Sequence, residues 1–154
     1  RLDQLGESVV KRMQMLAERR GVALSYEAGD EVTVRADELK IQQALTNLID
    51  NAIKYTPEGG SVVVTVVRRE DRAVVCVTDT GFGIPEEDIK HIVERFYRVE
   101  KARTRSAGGT GLGLSIVQRI IKMHNGTLEI RSKEGEGTSV VFELPLFTPP
   151  QKEE

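Results

Sequence analysis

Ile41, Ala44, Leu45, Leu48, Ile49, Ala52 and Ile53 recur at helical spacing, and no other regular element would give such a set one shared face. That stripe commits the stretch up to Tyr55 to an amphipathic helix with one side packed inward. Asp37 stands where it can cap the helix start. Thr56-Pro57-Glu58-Gly59-Gly60 is a dense turn signal at the other end. Asn47, Asn51 and Lys54 sit at i, i+4 and i+7, so they share a second, polar face. A solvated helix face normally carries mixed Glu and Lys, and asparagine is a mediocre helix former. Two amide oxygens and one ammonium aligned on a rigid element suit a metal-bound polyphosphate.

The rest of the chain has to supply a surface for that helix. Its 154 residues, 39% hydrophobic and 30% charged, suffice for one folded domain and argue against disorder. A net charge of −2 leaves no electrostatic footprint for nucleic acid. Cys76, the single cysteine, excludes a disulfide framework and a Cys-based metal site; within Val74-Val75-Cys76-Val77 it reads as a small buried hydrophobe. No apolar run approaches a membrane span, so no direct membrane insertion is expected. The chain enters a helical pattern directly from Arg1 and reads as a module cut from something longer.

Helical periodicity covers residues 3–20 and stops at Gly21. Val22 to Glu27 and Val32 to Arg35 read as short strands around Gly29-Asp30. Ser61 to Arg69 and Arg72 to Asp79 are β-branched runs joined by Glu70-Asp71, a hairpin whose charged tip Arg68 to Arg72 is solvated. Pro85 to Val93 reads as a short helix, Lys101 to Thr110 as a mobile loop, and Leu114 to His124 as a helix. Thr127 to Ser132 and Ser139 to Leu146 form a second hairpin around Glu134-Gly135-Glu136-Gly137, and Phe147 to Glu154 is a frayed tail. The class is α+β, a mixed sheet covered by helices on one face.

Two further motifs carry chemistry. Asp79-Thr80-Gly81-Phe82-Gly83 puts a carboxylate at a strand end, before glycines that allow a flat ring to approach the backbone. Adenine offers an amino donor where guanine offers an acceptor oxygen, so Asp79 would select adenine; taken alone, the pentapeptide also fits a plain turn. Gly108-Gly109-Thr110-Gly111-Leu112-Gly113-Leu114 runs into a helix, where converging N–H groups and the helix dipole favour an anion by roughly 0.3–2 kcal/mol. No Gly-Lys-Ser/Thr follows, and no strand precedes it, so neither a Walker loop nor a dinucleotide fingerprint fits.

In order and spacing these motifs resemble the nucleotide-binding domain of sensor histidine kinases, in the gyrase/histidine-kinase/mismatch-repair ATPase superfamily. Asn47 to Tyr55 resembles the N box, Asp79 to Gly83 the first glycine box, and Glu94-Arg95-Phe96-Tyr97-Arg98 the F box. Gly109 to Leu114 resembles the second glycine box and Gly135-Glu136-Gly137-Thr138 the last glycine-threonine turn. The resemblance implies a Bergerat-type two-layer sandwich over residues 1–147 with about three helices, a disordered tail 148–154, and a mobile ATP lid from about Ile84 to Gly109. It implies ATP and Mg²⁺ as ligands. Asn51 would ligate the metal, with Asn47 close to metal and phosphates and Lys54 at a phosphate. Tyr55 would lie near adenine, and Asp79 would hold its amino group with a water shared with Thr138. Gly81, Gly83 and Ile84 would line the base, and Gly109, Thr110, Gly111, Leu112, Gly113 and Leu114 the phosphates. Arg98 would reach the γ-phosphate, with Lys101, Arg103 or Arg105 assisting. Because Asp50 is rotated about 100° from Asn51 on the helix, no carboxylate of the motif would face the metal. Mg²⁺ wants anionic oxygens, so it should arrive with the triphosphate.

Three activities compete: phosphoryl transfer to histidine, hydrolysis that drives a conformational change, and nucleotide binding without chemistry. The superfamily's hydrolases usually carry glutamate where this chain has Asn47, and an amide cannot act as a base. That favours transfer to an external nucleophile; serine-directed anti-sigma kinases share these boxes and remain a neighbouring alternative. Neither His91 nor His124 sits in an acceptor-like context, and both are given structural roles, His124 as a cation at a helix C-terminus. Phe96 would pack the lid or dock the partner domain. The expected partners are therefore a separate histidine-bearing dimerisation domain and a response regulator. The isolated domain would be a monomer, from the cytoplasmic portion of a membrane-anchored sensor.

Overall fold

A computed structural model describes residues 1–27, 29–83 and 112–147. Their elements run α1 (Leu2–Arg19), β1 (Ala23–Glu27), α2 (Glu38–Lys54), β2 (Ser61–Arg69), β3 (Arg72–Asp79), α3 (Leu112–Met123), β4 (Thr127–Lys133) and β5 (Gly137–Pro145). The strands form one five-stranded sheet in the order β1-β2-β3-β5-β4. β1 pairs parallel with β2 through the α2 crossover, and every other pairing is antiparallel. Among the described residues this is a mixed open sheet with three helices, as expected. The short helix expected over Pro85–Val93, the lid and the loop Lys101–Thr110 lie outside the described residues, as do His91, Phe96, Arg98, Lys101, Arg103, Arg105 and the tail 148–154.

Alternation along the strands sorts the two faces. Val62, Val64 and Val66 are buried, whereas Val63, Thr65 and Val67 between them are half-buried. The buried row meets Val75, Val77, Phe142 and Leu144 of the neighbouring strands, and the helices cover it with Leu2, Val9, Leu45, Ile49 and Ile121. The α2 stripe read from the sequence is buried throughout: Ile41, Ala44, Leu45, Leu48, Ile49, Ala52 and Ile53. Asp37 caps the helix, its Oδ1 accepting from the Lys40 amide at 3.1 Å.

Four readings of the sequence need correction. Val32–Arg35 is not a strand, although Val32 is buried and Thr33 exposed. Its backbone partners are chain ends: the Leu2 amide donates to Val32 O at 2.8 Å and the Phe147 amide to Thr33 O at 2.9 Å. The Val32 amide donates to Asp3 Oδ1 at 3.1 Å, so the segment is a strap across the start of α1. Phe147 is accordingly tied down rather than frayed. Cys76 is half-buried, because Val75 and Val77 take the core face and turn it to the open side, where Sγ lies 3.2 Å from Thr78 Oγ1. His124 does fill a structural role, but as a neutral ring. Its Nε2 accepts from the Asp37 amide at 3.0 Å, which requires a lone pair, and Nδ1 then donates to Ile120 O at 2.7 Å. The ring thereby staples the start of α2 to the end of α3.

Candidate functional site

Three described segments converge at one end of the sheet. The last turns of α2 carry Asn47, Asn51, Lys54 and Tyr55, the end of β3 runs into Asp79–Gly83, and the β4–β5 turn carries Gly135–Thr138. The Phe82 peptide bridges the other two: its amide donates to Tyr55 O at 3.3 Å and its carbonyl accepts from the Gly135 amide at 2.6 Å. Glycine is required where backbones touch. A Cβ on Gly81 would lie 2.3 Å from Tyr55 O, and one on Gly137 would lie 2.1 Å from Asp79 O. Gly137 also has φ +118, a conformation that side-chain-bearing residues rarely adopt. Gly137→Ala should therefore cost about 1–3 kcal/mol of folding stability, read from the urea midpoint; an unchanged midpoint would show that this approach does not constrain the turn.

Asp79 is held firmly on one side. Its Oδ1 accepts from the Gly81 amide at 2.9 Å and from the Thr138 amide at 3.2 Å. Among the described residues no group donates to Oδ2. Burial pushes the carboxyl's pKa up, opposed by the two amide bonds. A half-buried carboxylate oxygen without a partner is partly desolvated at a cost, and a ligand N–H would satisfy it. Thr138 stands opposite Asp79 in the β3–β5 register. Its hydroxyl, expected to share a water with Asp79, bonds Ser132 Oγ at 2.8 Å.

Asn47, Asn51, Lys54 and Tyr55 are all half-buried on the exposed side of α2. Among the described residues no group bonds the side-chain amides of Asn47 and Asn51. Lys54 is engaged: its Nζ lies 2.9 Å from Asp50 Oδ2, an i, i+4 pair. Asp50, rotated about 100° from Asn51 on the helix, thus pairs with one residue of the polar face, and its charge is balanced by the ammonium. Leu112 and Gly113 fall inside α3, which starts two residues before the expected Leu114. Leu114 packs partly against the core. Gly81 is buried and Gly83 half-buried beside Lys133 O, while Ile84, Arg98, Gly109, Thr110 and Gly111 lie outside the described residues. Sequence reasoning missed Asp50 as the partner of Lys54, and Ser132. The signal for Ser132 was present, since counting back across the Glu134–Gly137 turn pairs it with Thr138.

Residues 36–148 match the family described as histidine kinase-, DNA gyrase B-, and HSP90-like ATPase. The sensor histidine kinase WalK of Bacillus subtilis (strain 168) is 41% identical over 139 residues, which is 89% of this chain and 23% of that protein. The chain thus spans about a quarter of this curated relative. Among solved structures, the nucleotide-free catalytic domain of histidine kinase ThkA superposes with a TM-score of 0.80 at 31% identity, covering 94% of this chain and 93% of that one. Full-length ShkA in complex with AMPPNP gives 0.84 at 29% identity, over 98% of this chain and 31% of that one. The sheet order, the glycines wedged against Tyr55 and Asp79, and these likenesses agree: the chain belongs to the histidine kinase-, DNA gyrase B- and HSP90-like ATPase family and has the fold of a histidine kinase catalytic domain.

Proposed function

We propose that this domain binds Mg-ATP and transfers the γ-phosphoryl group to a histidine on a separate dimerisation domain, for relay to a response regulator. The observation that carries the reading is the half-satisfied Asp79 carboxylate, with Oδ2 open and the Asn47 and Asn51 amides of the nearby helix uncommitted among the described residues. That donor set fits an adenine amino group at one end and a metal-bound polyphosphate at the other. Relatives named as sensor kinases and a neighbour solved with AMPPNP support the same ligand class. In the parent protein the domain would work on the cytoplasmic side of a membrane-anchored sensor.

Asn51 would hold Mg²⁺ through its amide oxygen, with Asn47 one turn earlier beside metal and phosphates. When bound, the ion neutralises charge on the phosphate oxygens. Lys54 has three N–H donors and gives one to Asp50, so others remain for a phosphate oxygen. The imidazole nitrogen bearing the lone pair forms the N–P bond as the bond from γ-phosphorus to the bridging oxygen breaks and ADP leaves, and the proton on the other ring nitrogen passes to solvent water. Such transfer depends on positioning and charge stabilisation. Asn47 offers no base for activating water, so the external nucleophile is favoured over hydrolysis.

Incubation with γ-labelled ATP and an added histidine-bearing domain should yield acid-labile, base-stable phosphohistidine on that domain with little free phosphate. Rapid phosphate release without protein labelling would instead establish the hydrolytic reading. Arg98→Ala should slow transfer by about ten- to a hundredfold or more while changing ADP affinity little; equal losses in both would remove Arg98 from the γ-phosphate.

A further inference from the structure

Ser132 on β4 stands opposite Thr138 on β5, which stands opposite Asp79 on β3. Directly paired residues share a face of the sheet, so the three side chains form one row ending at the Asp79 carboxylate. Ser132 and Thr138 are only half-buried, within reach of a ligand seated there.

The hydroxyl protons along this row can be assigned. Ser132 Oγ lies 2.9 Å from Gly137 O and 2.8 Å from Thr138 Oγ1. A carbonyl oxygen only accepts, so the single Ser132 proton goes to Gly137 O. The Ser132–Thr138 contact must then use the threonine's proton. Thr138 Oγ1 donates to Ser132 and retains only lone pairs for anything else it meets. Asp79 Oδ2 is likewise an acceptor whenever the carboxylate is ionised, since it then has no proton to give. The row therefore offers acceptors alone to a ligand at this end of the site.

We infer that Ser132 is a positioning residue that fixes Thr138 as an acceptor and, with Asp79, sets the preference for a 6-amino over a 6-oxo purine nucleotide. A 6-amino group donates and matches the row, whereas a 6-oxo group accepts and meets only acceptors. Without the Ser132 hydroxyl, the Thr138 hydroxyl is free to turn and donate to a 6-oxo group. The inference rests on the nucleotide-binding reading above.

Calorimetric titration of ATP and ITP, which differ at the 6-position and in the proton that only ITP carries on the adjacent N1, tests it on the wild type and on Ser132→Ala, Ser132→Cys and Ser132→Thr. The ATP-over-ITP ratio should fall roughly five- to tenfold in Ser132→Ala, the worth of one hydrogen bond of changed polarity. Ser132→Thr keeps the hydroxyl and should hold the ratio within about twofold of wild type. A ratio taken on one folded protein cancels changes in stability, and Ser132→Cys, close in shape with a weak S–H, should lower it where the alanine variant fails to fold. An unchanged ratio in whichever of these two variants folds would overturn the inference while leaving ATP binding intact. A wild type that binds neither nucleotide would overturn the nucleotide reading, and this inference with it.

Discussion

Asn51→Ala should lower Mg²⁺-dependent ATP affinity by more than about a hundredfold while leaving the fold and the metal-free affinity nearly unchanged. Asn51 lies half-buried in the last turns of α2, just before the buried Ala52 and Ile53, and its amide has no partner among the described residues. Removing it therefore costs no hydrogen bond within the described residues, and alanine is the better helix former. The loss should fall on the metal alone, since even partners of metal ligands are worth ten- to a hundredfold and a direct ligand more. The Asp50–Lys54 pair next to it remains to orient the ammonium. Calorimetry with and without Mg²⁺ reads both effects; equal ATP affinity in mutant and wild type with Mg²⁺ present would remove Asn51 from the metal.

Asp79→Asn should weaken ATP binding by about 1.5–3 kcal/mol, more than tenfold in Kd, and also stabilise the empty protein near neutral pH. The binding loss follows from counting acceptors. Oδ1 accepts from the Gly81 and Thr138 amides, and Oδ2 is left for a ligand donor, so both oxygens must accept. An asparagine amide has one acceptor, and the fixed backbone amides claim it. Its NH₂ then faces the ligand's amino group, donor against donor. The stability gain follows from linkage. Burial raises the folded-state pKa of Asp79 above its unfolded value. A raised carboxyl contributes stability that is fully present below the unfolded pKa and is lost as pH rises through the folded one. Where it is ionised, the wild type therefore carries a half-buried charge that the amide lacks. Urea unfolding at neutral and acid pH should show the variant's advantage shrinking on acidification. A variant less stable than wild type at neutral pH would show that the two amide bonds outweigh burial, and retained ATP-over-GTP preference would remove Asp79 from the base.

These predictions rest on features of unequal visibility in the chain. The α2 stripe and its Asp37 cap are local, set by residues three or four apart, and periodicity reveals them directly. The Glu70-Asp71 turn is equally local, and its hairpin formed as read. The strap at Val32–Arg35 has strand-like alternation, but its partners, Leu2, Asp3 and Phe147, are distant in sequence. Alternation reports which side is buried and not what pairs with the backbone. His124 was misjudged in charge for the same reason, since the Asp37 amide it accepts from belongs to another helix. The Asp50–Lys54 pair depends on the reach of two flexible side chains, which backbone rotation along the helix does not report. At the site, glycines at 81 and 137 were legible as turn residues, whereas the carbonyls they accommodate, Tyr55 O and Asp79 O, emerge only from tertiary packing. The proton order along Ser132, Thr138 and Asp79 needs strand register and distances together.

The most direct measurement is a calorimetric titration of the domain with ATP and with GTP, each with and without Mg²⁺. Saturable ATP binding that tightens with Mg²⁺ and clearly exceeds GTP binding is the predicted result if, as proposed, the acceptor at Asp79 selects the base and the α2 amides hold the metal that comes with the phosphates. Equal affinity for the two nucleotides, or no binding of either, would contradict the account.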